Sequence, residues 1–564
     1  MVGKRKNKVP SKPASNPGTG ISPSSFIKAG QNDCLISVLA CGAFVFLFSL
    51  IAITSFIQKS PTVDEPVHLL SGYSYLKWGD FRSNPEHPPL AKMLAALPLM
   101  FFHIKDPRPS SPYWDLIPTE SPKSLHTVKV AAQMLFVEND AETLFFYAKL
   151  MMIALALVLG MFVFRWSYEL FGLGAAVASL FVYALDPNIL AHSQLVHTDL
   201  PFTATFFIAT YFFYRTLNRL SLANLIFTSL FFSLAAITKW GYTAILLVWA
   251  ILGVVHIFSS QRQELAIGIS RTVSDRWKKT VLLAAVFACV LMTAYVFIWA
   301  AYGFRFDAIS GGKLHLPMAE ELPQSPAAKA LVSFLFLYHL FPEAWIYGQL
   351  HILNNLGRDT YLFGQMSVGH GKWLYFPVAF AVKTPVPTLL LLLATPVLWV
   401  LDRNQQKAGL PLFIPVVVYF SLAVWSGMNI GLRHILPIYP FLFVIVGGTA
   451  IKLWQAKTRM AHSILAVLCA WYIVSSLVTY PSYLTFFNEI AGGAKNGHKI
   501  LLDSNLDWGQ DLKGLKAWMV KHDVQNIQFL YFGFYDIAAP RYYGINAFYL
   551  PGSWVGPEAI SREN

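Results

Sequence analysis

The chain has 564 residues, of which 55% are hydrophobic and only 13% charged, with 43 Lys and Arg against 30 Asp and Glu and a formal net charge of +13. A charge content about half that of an ordinary soluble domain excludes a disordered chain. It also excludes a nucleic-acid binder, whose basic excess would form a dense stripe, and the four cysteines (Cys34, Cys41, Cys289, Cys469) lie in or beside apolar runs without the spacing of a zinc site or a disulfide scaffold.

Residues 1–33 are rich in Lys, Pro, Ser and Gly and read as a disordered basic tail. The first run able to cross a bilayer is Cys34 to Ile57, too long for a signal-peptide core and without a small-residue cleavage site. Ten further apolar segments follow at 144–164, 172–186, 199–214, 222–238, 242–258, 280–301, 385–401, 410–425, 435–451 and 462–479. The pattern predicts an all-α polytopic membrane protein with about eleven spans over residues 34–479.

Lys and Arg collect in alternate connections: Lys4 to Lys28 in the tail, then Arg165, Arg215 and Arg219, Arg262 to Lys279, Arg403 and Lys407, and Lys452 to Arg459. This bias predicts a cytoplasmic N-terminus and an extracytoplasmic C-terminus. Three long segments then fall outside, at 58–143, 302–372 and 480–564. The last reads as a small α/β segment, with a strand at 499–502, an amphipathic helix at 509–520 and a second strand at 527–532.

Chemistry-bearing residues concentrate in these outside segments. Asp64 and Glu65 stand a few positions past the first span, at headgroup level, where a carboxylate can act as general base on an acceptor hydroxyl. They could equally cap a helix starting near Pro66. Glu86-His87-Pro88-Pro89 precedes a partly apolar helix, Leu90 to Phe102, with Lys92 in its first turn; this suits a phosphate or a divalent cation, or simply a rigid turn.

With these stands an ordered set of motifs: Asp186-Pro187-Asn188 through His197-Thr198-Asp199-Leu200-Pro201, Tyr375-Phe376-Pro377 with Lys383-Thr384-Pro385, Gly431-Leu432-Arg433-His434 with Pro437, and Leu502-Asp503-Ser504-Asn505-Leu506-Asp507-Trp508-Gly509-Gln510-Asp511. The Asp-Glu pair followed by His-Pro-Pro-Leu-Ala-Lys resembles the first outside loop of the protein O-mannosyltransferases. More broadly the series resembles the C-type glycosyltransferases that use polyprenyl-phosphate sugars, including the aminoarabinose transferases that modify lipid A. The resemblance runs over about 450 residues and implies a C-type glycosyltransferase fold with an outside active site above a lipid-phosphate groove.

Position by position, the resemblance makes Asp64 the catalytic base and Glu65 the neighbour that orients it or the acceptor. Glu86 matches the acidic residue beside which the aminoarabinose transferases bind a metal, and His87 stands where those enzymes have a phosphate-binding Lys. The metal reading is a divalent cation (Mg, Mn or Zn) on Glu86 and His87. Asp199 matches an acidic residue of the second outside turn, and His87, Lys92, Asp199, Arg433 and His434 form the donor-phosphate and acceptor set. Two features depart from the family: Pro66 displaces His68 by one position, and residues 302–372 are too few for the β-trefoil that the O-mannosyltransferases carry.

Arg433 and His434 are costly at a span end unless paired with an anion or extended to the interface, and Lys239 and Lys383 sit similarly. His192 and His197 read as structural histidines. Asp503, Asp507 and Asp511 lack calcium-loop spacing and read as a helix start capped by Asp507. Trp508, Trp345 and Trp373 read as interfacial anchors.

The expected function is inverting transfer of a sugar from a polyprenyl-phosphate donor to a hydroxyl of a protein, lipid or glycan, in the plasma membrane, with membrane lipids and no nucleic acid as partners. The alternative is a transporter or lipid flippase. That class places ionisable residues at midspan, and segments such as Leu155 to Gly160 and Leu389 to Ala394 contain none.

Overall fold

The structure, a computed structural model, describes residues 31–119, 125–268, 271–311, 315–400, 402–531 and 537–550. The expectation of a disordered tail over 1–33 falls almost wholly outside the described residues. Each of the eleven apolar segments is helical: Gln31–Phe56, Ala141–Phe171, Leu173–Leu185, Asp199–Asn218, Leu222–Ala236, Tyr242–Phe258, Arg276–Ala301, Val386–Trp399, Arg403–Ser426, Tyr439–Gln455 and Arg459–Thr479.

Six helices among the described residues are long and apolar enough to cross a membrane, and a bent pair makes a seventh. That pair, Tyr375–Lys383 and Val386–Trp399, turns by 111° at Thr384-Pro385, where the proline lacks the N–H that would continue the helix. Eleven full spans are therefore not established by length. Leu173–Leu185, Leu222–Ala236 and Tyr242–Phe258 have only 13, 15 and 17 residues. Asp199–Asn218 is buried along most of its length, so it need not present a continuous apolar surface to lipid and can carry Thr, Tyr and Asp.

The main core joins the helices around Phe48, Trp166, Phe207 and Phe441 and reaches Trp508 in the C-terminal segment. A second cluster packs Leu69, Leu99 and Met134 of the first long loop against Leu512, Met519 and Phe529. The C-terminal segment is thus built into the first loop rather than appended to it. A third cluster seats the 302–372 segment, through Trp345 and Tyr347, on Trp240 and Tyr75.

Within the first loop, Glu65–Trp78 is one helix, and Leu90–Ala96 passes into a 3-10 turn, Leu97–Phe101, at Pro98. A Cβ at Gly72 would overlap the Lys92 carbonyl, so glycine is what lets these two helices touch backbone to backbone. Residues 499–502 do not form the expected strand: the Ile500 and Leu501 N–H groups donate to the Gly497 carbonyl in a turn, and the chain enters a 3-10 helix at Asp503–Asn505. The expected helix is Leu512–Lys521, and Ile527–Phe529 pairs in parallel with Ala547–Tyr549; residue 532, the end of the expected strand, lies outside the described residues.

Candidate functional site

Asp64 occupies the cap position of the Glu65–Trp78 helix but makes no side-chain capping bond. Its carboxylate, 41% exposed, is not used to hold the helix. Glu65 is its opposite: fully buried, it accepts the Val196 N–H at 2.9 Å on Oε1 and the Thr62 N–H at 2.7 Å and Thr62 hydroxyl at 3.1 Å on Oε2. The buried Lys149 ammonium stands 3.3 Å away. Glu65 ties the Asp64 turn to the turn that ends at Asp199.

That second turn begins with Asp186, which caps Pro187–His192 by accepting the Asn188 and Ile189 N–H groups. The chain then delivers His197 and Asp199 to Asp64. His197 Nε2 lies 3.3 Å from Asp64 Oδ2, and His197 Nδ1 lies 2.7 Å from Asp199 Oδ2. Arg433 Nη1 approaches His197 Nε2 at 3.0 Å, Asp199 at 3.6 Å and Asp64 at 3.9 Å. Lys239 pairs with the other Asp199 oxygen. Trp508 closes the cluster, with its ring 4.1 Å from the Arg433 guanidinium and 4.9 Å from the His197 ring.

Burial by itself would raise the Asp64 pKa, but the hydrogen bond and charge of His197 and the charge of Arg433 outweigh it and hold the carboxyl well below its ordinary range. For His197 burial acts the other way, and the neighbouring carboxylates, Asp199 first, leave it raised. The His68 ring packs at a tilt against His197, centroids 4.6 Å apart, and its Nδ1 lies 2.9 Å from the Val196 carbonyl, to which it donates. Burial and the charges of His197 and Lys92 depress His68 to about 3, so it stays neutral.

Lys92, expected among the phosphate ligands, is 1% exposed, and its ammonium donates to the Asn84 carbonyl at 2.5 Å and the His87 carbonyl at 2.8 Å, with Tyr75 Oη at 3.4 Å. Burial pulls its pKa down to about 7. It braces the Glu86-His87 turn from beneath. Glu86 is half-buried, with its carbonyl accepting the Trp240 indole N–H at 2.7 Å, and His87 Nδ1 is buried without a partner. His434 is half-buried beside Arg433, and its Nε2 also has no hydrogen-bond partner among the described residues.

Among the described residues, the group of three side chains able to converge on a metal is Asp307, His315 and Glu343, in the 302–372 segment. Neither Glu86 nor His87 belongs to it. The pair Glu86–His87 therefore does not constitute a three-ligand protein site.

Several residues differ from their sequence-based reading. His197, read as a structural histidine, is the hub of the cluster. Trp508 and Trp345 are 2% and 6% exposed and fill space between segments rather than anchoring at an interface, whereas Trp373 is 68% exposed. Asp507 does not cap the following helix but accepts the Gly509 N–H in a local turn, while Asp511 pairs with Lys59. Lys383 donates to the Leu484 and Asn505 carbonyls and braces the C-terminal segment. The one sequence signal for His197 is its place two residues before Asp199; nothing near Trp508 announces its partners.

No family model matches the chain, and no curated protein matches it. Among solved structures it is similar to ArnT from Cupriavidus metallidurans in the apo state, at 13% identity over 91% of this chain and 86% of that one, with a TM-score of 0.46. The S. cerevisiae protein O-mannosyltransferase Pmt1-Pmt2 complex bound to the sugar donor gives 12% identity, 80% and 90% coverage, and a TM-score of 0.48. The Archaeoglobus fulgidus oligosaccharyltransferase in the apo form gives 14% identity, 82% and 56% coverage, and a TM-score of 0.39.

Proposed function

We propose that this chain is a membrane glycosyltransferase that moves a sugar from a polyprenyl-phosphate donor to an acceptor hydroxyl on the extracytoplasmic face, with inversion at the sugar carbon and Asp64 as general base. The observation that carries the reading is the contrast between two adjacent carboxylates: Glu65 is spent entirely on structure, whereas Asp64 is uncapped and part-exposed against a buried His–Arg–Asp–Lys cluster.

In the proposed reaction the acceptor oxygen attacks the sugar carbon as Asp64 takes its proton, and the carbon–oxygen bond to phosphate breaks, the phosphate leaving with the electron pair. Holding the acceptor against Asp64 supplies the orientation term, and fixed cations stabilise the growing phosphate charge. Arg433 is the guanidinium nearest Asp64. His434, whose Nε2 is uncommitted, is the second group proposed to face the phosphate; Lys239 balances Asp199. Among the described residues Glu86 and His87 belong to no three-ligand group, and no step is routed through a metal. In this reading the N-terminus is cytoplasmic and the three long segments form the outside face. A transporter is disfavoured because the ionisable cluster sits at helix ends and in loops rather than at midspan.

The reading is tested by incubating the purified full chain with radiolabelled undecaprenyl-phosphate and dolichyl-phosphate sugars. Release of the polyprenyl phosphate with labelled acceptor supports it. Vectorial uptake of intact donor into vesicles replaces it with transport.

A further inference from the structure

We propose that Asp503 is the carboxylate that holds the donor's sugar, accepting hydrogen bonds from its hydroxyl groups in the space between Asp64 and Arg433. The inference rests on the glycosyl-transfer reading and adds to it the side chain that tells a sugar-bearing lipid from a bare polyprenyl phosphate.

Of the three acidic residues in the 503–511 stretch, two are committed: Asp507 accepts the Gly509 N–H and Asp511 pairs with Lys59. Asp503 is half-buried, and among the described residues its carboxylate accepts only the N–H of its neighbour Ser504, on Oδ1. It forms no ion pair among them, with Arg433 or any other cation. Its second oxygen is left over, and an ionised carboxylate can only accept.

The backbone presents this side chain in a fixed direction. Asp503 has a φ of +61°, in the left-handed region that few residues other than glycine, Asn and Asp enter. Its carbonyl accepts the Leu506 and Asp507 N–H groups at 2.9 and 3.2 Å, closing the 3-10 turn Asp503–Asn505. That turn is buttoned to the Arg433 segment, since Ser504 Oγ donates to the Ile430 carbonyl at 2.5 Å and Asn505 Oδ1 accepts the Leu432 N–H at 2.9 Å. A few residues on, the same stretch is tied to the Asp64 segment. There the Val63 N–H donates to the Trp508 carbonyl at 2.9 Å and the Ser60 N–H to the Gln510 carbonyl at 3.0 Å. Asp503 thus stands on a bridge between the two groups on which the proposed reaction depends. The charges of both reach it: burial first, and then Asp64, raise its pKa, while Arg433 and the Ser504 N–H oppose the rise.

Reaction geometry says what meets a group in that place. In a single inverting displacement the attacking oxygen and the departing group lie on opposite faces of the sugar carbon. With the acceptor at Asp64 and the phosphate at Arg433, the sugar ring occupies the span between them, and a side chain on the bridge faces the ring. Sugar hydroxyls are donors that a carboxylate binds through charge-assisted hydrogen bonds. A neutral ring between Asp64 and Asp503 also keeps two like charges apart.

The test measures equilibrium binding of undecaprenyl phosphate, undecaprenyl-phosphate glucose and undecaprenyl-phosphate mannose to the full chain in lipid nanodiscs, for wild type, Asp503→Asn and Asp503→Gly. Both replacements accept the left-handed backbone, so melting midpoints should stay near wild type. We expect wild type to hold at least one sugar-bearing lipid more tightly than the bare phosphate. Each variant should lose about tenfold or more of that preference while binding undecaprenyl phosphate as wild type does. A variant that weakens all three lipids alike acts through the phosphate or the fold, and overturns the sugar contact. An unchanged preference overturns it too, as does a wild type that binds the three lipids equally. Absence of transfer by wild type from every labelled donor overturns the glycosyl-transfer reading itself, whatever the binding measurements give.

Discussion

Glu65→Gln separates structure from chemistry at this site. The substitution keeps the shape of the side chain but replaces two accepting oxygens with one acceptor and one donor. In the native protein both oxygens accept backbone N–H groups, from Val196 at 2.9 Å and Thr62 at 2.7 Å, so either rotamer of Gln sets an amide NH₂ against a backbone N–H. The change also leaves the Lys149 ammonium, 3% exposed, without its counter-charge. Breaking one partner of a buried pair costs about 3–5 kcal/mol, and the lost charged hydrogen bond falls within that range rather than adding fully to it. Thermal unfolding in detergent should show a clearly lower midpoint for Glu65→Gln, and pairing it with Lys149→Met should recover part of the loss, because the two share one interaction. Because Val196 is adjacent to His197, transfer activity should fall as well. An unchanged midpoint, or strict additivity in the double variant, would refute the view that Glu65 is the brace between the two turns.

Asp64→Asn should lower transfer by about 10²–10⁴-fold and the melting midpoint only modestly, since the side chain caps nothing and is part-exposed but its charge is favoured by His197 and Arg433; thermal unfolding beside the transfer assay checks both. Lys239→Met leaves Asp199, whose side chain is 1% exposed, short of a cation and should cost about 3–5 kcal/mol, read as a lower midpoint in the same experiment. Trp508→Ala opens a cavity under Arg433 and His197 and should cost a similar about 3–5 kcal/mol, with weaker retention of labelled donor on the purified protein. His68 supplies a pH signature. Its folded pKa of about 3 lies below the ordinary value near 6.5, so the unfolded chain binds the extra proton between those limits. The stability His68 contributes is present above about pH 6.5 and is lost as pH falls toward 3. Unfolding midpoints measured from pH 7 to 4 should fall, and His68→Asn should flatten that slope.

How much of this was legible in the sequence follows from the range of each interaction. Apolar runs are local, so all eleven helical segments could be placed, but whether a 13-residue helix crosses alone or leans on neighbours depends on packing that composition does not record. The loss of apolar character in Asp199–Asn218 makes sense only once that helix is seen to be largely wrapped by others. At the site, Asp64 could be singled out because its position past the first span is a local fact. Lys92 was harder: its place in a helix first turn suggests an anion site, while its burial under the Asn84 and His87 carbonyls is set by the close approach of two helices at Gly72. His197 and Trp508 meet across hundreds of residues, and no spacing rule brings a Trp in the C-terminal segment against a His in the second turn. The Asp507 cap failed for a simpler reason, because a local Asx-type turn to Gly509 competes for the same carboxylate.

We propose Asp64 as the base of a glycosyl transfer from a lipid-phosphate donor. Its most direct test is a single-turnover assay of wild type and Asp64→Asn reconstituted in lipid, preloaded with labelled polyprenyl-phosphate sugar and given acceptor extract from the native membrane. Wild type is expected to convert donor to free polyprenyl phosphate and labelled acceptor, whereas Asp64→Asn retains bound donor unconverted. Equal conversion by both proteins would contradict it.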